Sequence, residues 1–284
     1  MYWVQTVFAA LILSTGLTAA TAHAAEGYDN CTGFIDTVPA TIGAQGTWCL
    51  RHDLSTAITG GAAITIAVNN VTLDCNGFKI GGLAAGIGTG ARGVYANDRL
   101  NSTVRNCAVR GFQVGIDLDG VGAGHLVEDN RLDNNTWMGI EVRGDNNRVQ
   151  RNRVYDTGGS SLGSAWGMHV INADVIDNTV AGVVAAGSAH NAIGISMEGW
   201  GIEVRGNQVR GLVPGGTGVT RGLVNNFGTA NFTGNVVTSI VAIPGVGIAT
   251  KTGLPKAVCR GNTVIGFGTG ISADCLDGSG NVVQ

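Results

Sequence analysis

Residues 101–120, NSTVRNCAVRGFQVGIDLDG, and residues 124–145, GHLVEDNRLDNNTWMGIEVRGD, state the same phrase twice. An apolar residue is followed by two polar residues, an Asn, one further residue and a second apolar residue. Cys107 stands in the Asn position of the first copy. A few residues later a new short strand opens on Gly and an apolar residue, Gly115-Ile116 in one copy and Gly139-Ile140 in the other. The phrase recurs as VQRNRV from Val149, VIDNTV from Val175, VRGNQV from Val204, FTGNVV from Phe232 and CRGNTV from Cys259.

Two columns emerge. The Asn column reads Asn76, Asn130, Asn152, Asn178, Asn207, Asn235 and Asn262. The Gly column reads Gly93, Gly115, Gly139, Gly167, Gly194, Gly222, Gly247 and Gly270, with successive members 22 to 28 residues apart. That interval suits one coil of a β-solenoid and is too short for a propeller blade of ~40 residues or more. Within each segment the apolar residues alternate, the period of a strand with one buried face. Each strand must find its hydrogen-bond partners in the coils above and below. The chain is therefore expected to be all-β, a single-domain parallel β-helix of about eight to nine coils over residues 61–284, preceded by a cap and first strands at 25–60. Inward Asn amides can bond from coil to coil as a ladder, which gives that column a structural purpose.

These paired phrases resemble the right-handed parallel β-helix repeats of the pectate-lyase-like superfamily, over nearly all of the chain beyond residue 60. The resemblance implies a right-handed fold. It also implies that the Asn column marks the turn between the second and third strands of a coil, and that substrate would lie along the Gly-Ile strand. It implies no single activity, because the superfamily includes lyases, hydrolases, epimerases and adhesins. Two signatures of its enzymes do not occur here, the paired Asp with Gly-His-Gly of polygalacturonase-like members and the Asp-Pro-His-Asp of alginate epimerase-like members.

Composition agrees with a stacked β protein. Charged residues are 13% of the chain and glycines number 47 of 284, against usual shares of ~25% and ~7%. A net charge of −3 with three Lys leaves no basic stripe to follow phosphates, so nucleic acid is not an expected partner. Val7 to Leu17 is apolar and is followed by Ala22, His23 and Ala24, the A-x-A pattern of a leader cleaved after residue 24. This stretch is short of the ~20 apolar residues a membrane span needs. No membrane span is expected after cleavage, and the mature protein is expected to be secreted or periplasmic. Six cysteines suit an oxidising compartment. Proximity within the repeat pairs them in order, Cys31 with Cys49, Cys75 with Cys107 and Cys259 with Cys275.

Chemistry is sought on the outward positions of the Gly-Ile strand. Alternation places Tyr95, Asp117, Glu141, His169 and Ser196 in one outward row, and Asn97, Asp119, Arg143, Ile171, Glu198 and Asn226 in the next. Asp117, Asp119 and Glu141 form a carboxylate trio suited to Ca²⁺, a cation that prefers oxygen ligands. Arg143, His169 and Glu198 are the candidate catalytic residues. A metal-neutralised uronate would lose a proton to Arg143 or His169 in β-elimination, or two carboxylates would share glycoside hydrolysis as acid and base. Long loops before Gly167, Gly194 and Gly222 are expected to stack as a wall carrying Trp166, His190 and Arg221, which with Tyr95 and Asn226 form the candidate substrate contacts. The expected partner is a polysaccharide or other glycan. A non-catalytic surface β-helix, an adhesin or glycan-binding stalk, is the alternative. A metal-handling β-helix ranks last, since the sequence holds no His or Met cluster.

Overall fold

A computed structural model describes residues 28–251, 253 and 257–284, so the expected leader at 1–24 lies outside the described residues. Twenty-seven strands, every pairing parallel, form one sheet wound into about nine turns. Apart from one 3-10 turn at Leu83–Ala85, the described residues contain no helix, and none is long and apolar enough to cross a membrane. The chain is the right-handed parallel β-helix that its repeat foretold.

Every coil has three faces, each with an unbroken apolar stack. On the glycine face Ile64, Val94, Ile116, Ile140, Met168, Ile195, Leu223 and Ile248 lie in register. On the ladder face Leu73, Val104, Val127, Val149, Val175, Val204, Phe232 and Cys259 do the same. The return face stacks Ile80, Val109, Leu132, Val154, Val180, Val209, Val237 and Val264. All of these residues are buried, so burial of each coil depends on its neighbours. Pairing in the solenoid register begins early, with Ala40–Ile42 against Ala62–Ile66 and Leu54–Ser55 against Lys79–Gly81.

The Gly column has a steric cause. A Cβ on Gly139 would stand 2.5 Å from Val154 Cγ1 on the return face and 2.6 Å from the Gly167 carbonyl oxygen one coil on. The corner between these two faces is too tight for any side chain.

The Asn column is a continuous hydrogen-bond ladder. Asn130 Nδ2 donates to Asn152 Oδ1 at 3.0 Å, and the same bond links Asn152 to Asn178, Asn178 to Asn207, Asn207 to Asn235 and Asn235 to Asn262. Each Nδ2 also donates to a backbone carbonyl, and each Oδ1 also accepts the backbone N–H of the preceding rung. Two membership details differ from the sequence expectation. Asn76 stands apart, in left-handed backbone (φ 49°), donating to the Leu50 carbonyl instead. The last rung is Asn281, whose Oδ1 accepts from Asn262 at 3.0 Å.

The three disulfides join the expected pairs. Cys31–Cys49 lies near the start of the described solenoid and Cys259–Cys275 near its end, where a coil has a neighbour on one side only. Cys75–Cys107 lies at the head of the ladder, and the Cys107 backbone N–H donates to Asn130 Oδ1 at 2.9 Å. The covalent link continues the column where the amides stop.

Candidate functional site

Register on the glycine face follows the expected alternation. Tyr95, Asp117, Glu141, His169 and Ser196 occupy matched positions of five consecutive strands. They point away from the core, yet Asp117 is only 1% exposed and Glu141 8%. The row is a covered floor, because cations from flanking positions fold over it. The Arg92 guanidinium closes on Asp117 and lies 4.8 Å from the Tyr95 ring centroid. Arg143 meets Glu141 Oε1 at 2.7 Å and Asp119 Oδ1 at 3.3 Å. His169 Nδ1 lies 3.4 Å from the same Glu141 oxygen.

These surroundings push two adjacent carboxyls in opposite directions. Burial raises Asp117 to about 6, the Glu141 charge adds to the rise, and the Arg92 hydrogen bond only partly offsets them. Asp117 Oδ1 is buried with no partner among the described residues. Burial also acts to raise Glu141, but hydrogen bonds from His169 and Arg143 outweigh it and hold the pKa below its usual value. For Arg143, burial works against the charge, while Glu141 and Asp119 more than compensate and raise it above normal. Arg143 thus anchors Glu141, with which it shares two hydrogen bonds.

The remaining candidates are placed less uniformly. The loops before Gly167, Gly194 and Gly222 do stack, with Asn191 N–H donating to Ser164 Oγ and Val219 N–H to Asn191 Oδ1. Trp166 packs edge-on against Trp137 at 5.4 Å. The His190 ring is tied to the Ala186 carbonyl of its own loop. Arg221 lines a 430 Å³ cavity further along the face with Val224, Asn226 and Lys251. Glu198 pairs in register with Ile171, which separates it from Arg143. A β-bulge then matches Glu198 with Phe227, and Asn226 is the inserted residue, bonded back to Ser196 Oγ at 2.9 Å. Strict alternation had put Asn226 beside Glu198. Arg92 was missed, although its place directly before Gly93 is the same as that of Trp166 and Arg221 before their glycines.

The carboxylate trio is close in register but engaged by cations. Asp117 is closed by Arg92, while Asp119 and Glu141 share Arg143. Among the described residues no three His, Cys, Asp or Glu side chains gather to hold a metal ion. The arrangement is an ion-pair chain and lacks the open oxygen cage that Ca²⁺ takes.

The sequence model of the family described as "Periplasmic copper-binding protein (NosD)" matches residues 51–195. No curated protein matches the chain. Among solved structures, the A-module of the Azotobacter vinelandii mannuronan C-5 epimerase AlgE6 is similar with a TM-score of 0.50 at 14% identity, over 92% of either chain. The Agl-KA catalytic domain has a TM-score of 0.47 at 13% identity over 86% of this chain, which spans 60% of that domain. A GH87 α-1,3-glucanase catalytic domain in complex with nigerose has a TM-score of 0.39 at 12% identity, with 62% of its length spanned. At such identities the likeness is one of fold. Copper, which the family description names, does not fit the donors in the described residues. The six cysteines are in disulfides, Met138, Met168 and Met197 are buried in the apolar interior, and the described histidines join no group of three His, Cys, Asp or Glu side chains.

Proposed function

The chain belongs to the family described as periplasmic copper-binding protein (NosD), and on that premise we propose that it is an exported β-helix protein that binds a polysaccharide along its glycine face and hydrolyses it there. The observation that carries the reading is the opposed tuning of Asp117 and Glu141 in neighbouring strands. Two carboxyls whose surroundings separate their pKa values supply an acid and a base at one site. Asp117, raised to about 6, holds a proton in mildly acidic solution and donates it to the glycosidic oxygen. Glu141, kept ionised by Arg143 and His169, attacks the anomeric carbon. Asp117 and Glu141 are register partners on strands that run ~4.8 Å apart, which puts their carboxyls within reach of the short separation used by double-displacement hydrolases. Water then releases the glycosyl group, with Asp117 taking the proton back.

Arg143 and His169 are positioning residues in this scheme, and Arg92 aims Asp117. Trp166 and Tyr95 are the aromatic groups next to the two carboxyls, with Arg92 lying over one face of the Tyr95 ring. Export is supported by three disulfides, which persist in oxidising compartments. No step is assigned to copper or Ca²⁺. The burial of Asp117 favours a second reading, glycan binding without turnover.

A panel of neutral and uronate polysaccharides, assayed for reducing ends and for unsaturated product by absorbance, separates the readings. Hydrolysis produces reducing ends without unsaturation. E141Q and D117N should each lower the rate by about 10² or more, the scale of acid–base catalysis. Binding with no turnover on any glycan establishes the second reading. Unsaturated product, or activity unchanged in E141Q, refutes the first.

A further inference from the structure

Around the turn from the glycine face into the ladder face lies a cleft of about 740 Å³, lined by Asp145, Asn146, Arg148, Asn172, Asp174 and Trp200. Its volume falls within the ~300–1,000 Å³ of ligand sites. It lies outside the Asp117–Glu141 floor and uses none of that floor's residues.

The cleft is built by an irregularity in the coil. Strands Ala192–Arg205 and Thr220–Thr233 match Gly199 with Gly228 and then Ile202 with Ala230, so Trp200 and Gly201 oppose a single residue, Thr229. The Gly201 N–H is held by Thr229 Oγ1 at 3.1 Å. Gly199 and Gly201 take φ values of 151° and 70°, backbone that side chains resist. Such a bulge re-aims a side chain, and here it turns Trp200 outward, 56% exposed, edge-on at 5.6 Å to Phe227, itself 47% exposed. Trp200 lines the cleft, and its exposed ring gives a flat surface on which a ligand ring can stack.

The opposite wall is polar and already ordered. Asn172 Nδ2 donates to Asp145 Oδ1 at 2.7 Å, Arg148 meets Asp174 Oδ2 at 3.2 Å, and Asp174 Oδ1 accepts the Glu203 N–H at 3.0 Å. Groups fixed before binding lose little entropy on meeting a ligand. We infer that this cleft is a second saccharide site, which holds a neutral hexose chain by stacking one ring on Trp200 and hydrogen-bonding its hydroxyls to the Asp145, Asn146 and Asn172 side. Neutral sugar is selected because the wall presents two carboxylates, and its cation, Arg148, is already paired with one of them. A uronate would meet like charge.

The inference does not depend on cleavage at Glu141, and the test keeps the two apart. Mature full-length protein and the variants W200A, W200F and E141Q are titrated with maltohexaose, cellohexaose, laminarihexaose and hexagalacturonate, read by calorimetry and by tryptophan fluorescence. At least one neutral hexaose should still bind when Glu141 is replaced in E141Q, with a change in tryptophan emission that is absent in W200A. W200A should bind it at least 10-fold more weakly, and W200F should recover most of the loss, which also shows that the site tolerates substitution. Hexagalacturonate should not bind through Trp200. The inference is overturned if no neutral hexaose binds, if W200A binds as wild type does, if binding is lost in E141Q but kept in W200A, or if the uronate hexamer binds in a Trp200-dependent way.

Discussion

Replacing Asn207 by Ala removes one rung from the middle of the ladder, and the structure sets the size of the loss. Asn207 Oδ1 accepts from the Asn178 backbone N–H at 3.0 Å and from Asn178 Nδ2 at 3.1 Å. Its Nδ2 donates to the Val175 carbonyl at 2.8 Å and to Asn235 Oδ1 at 3.0 Å. Asn178, Asn207, Asn235 and Val175 are all inaccessible to solvent. The substitution orphans two donors of Asn178 and the Val175 carbonyl, and each buried orphan costs about 1–3 kcal/mol. Allowing for relaxation, N207A should lose about 4 kcal/mol. A surface asparagine supplies the contrast. Asn97 is exposed and its Nδ2 donates to Asp98 Oδ2 at 2.7 Å, so N97A should lose only about 1 kcal/mol, the worth of a bond that water can replace. Urea unfolding followed by far-ultraviolet circular dichroism measures both. Equal losses for the two variants, or a loss under about 1.5 kcal/mol for N207A, would refute the view that the ladder is a buried, cooperative support.

Two further outcomes follow from the floor and the corner. Asp117 is raised from 3.8 to about 6 in the folded state, so the folded state holds this proton more tightly than the unfolded chain. Its contribution is therefore greatest below about pH 4 and is lost as pH rises to about 6, worth about 3 kcal/mol at ~1.4 kcal/mol per unit. Glu141, lowered, acts the other way, but only below its unfolded value of 4.5. Wild-type stability should fall between about pH 4.5 and 6.5, and the fall should largely vanish in D117N. An equal slope in both proteins would show that Asp117 is not the group responsible. G139A should cost about 2 kcal/mol or more through overpacking, since its Cβ would meet Val154 and a carbonyl oxygen, whereas G60A, with open space around it, should be near neutral. Thermal melts of the two variants compare them directly.

The fold was legible because its physics repeats. Every coil must solve the same corner and bury the same amides, so Gly139 and Asn152 have counterparts at regular intervals, and outward alternation placed Tyr95, Asp117, Glu141 and His169 correctly. Departures from repetition were not legible. Asn226 and Trp200 are where bulges add a residue, and period-2 counting carries straight past them. Asn76 has the right spacing for a rung, but its left-handed backbone turns it out of the column. Asn281 had a usable signal, the Gly-Asn-Val-Val shared with residues 234–237, hidden by a final interval of 19 residues. Side-chain pairing was the other gap. Three carboxylates in a row read as a cation cage, and only the reach of Arg92 and Arg143 shows each of them already answered by a guanidinium.

The most direct test of the account is to trap its reaction. Incubating the wild type with a cleaved oligosaccharide bearing a 2-fluoro substituent and a good leaving group slows release of the glycosyl group. Intact-mass measurement and peptide mapping should find one glycosyl unit attached at Glu141, and none in E141Q. Labelling at another carboxylate, or inversion at the anomeric carbon with no adduct, would contradict the pairing of Asp117 as acid with Glu141 as nucleophile.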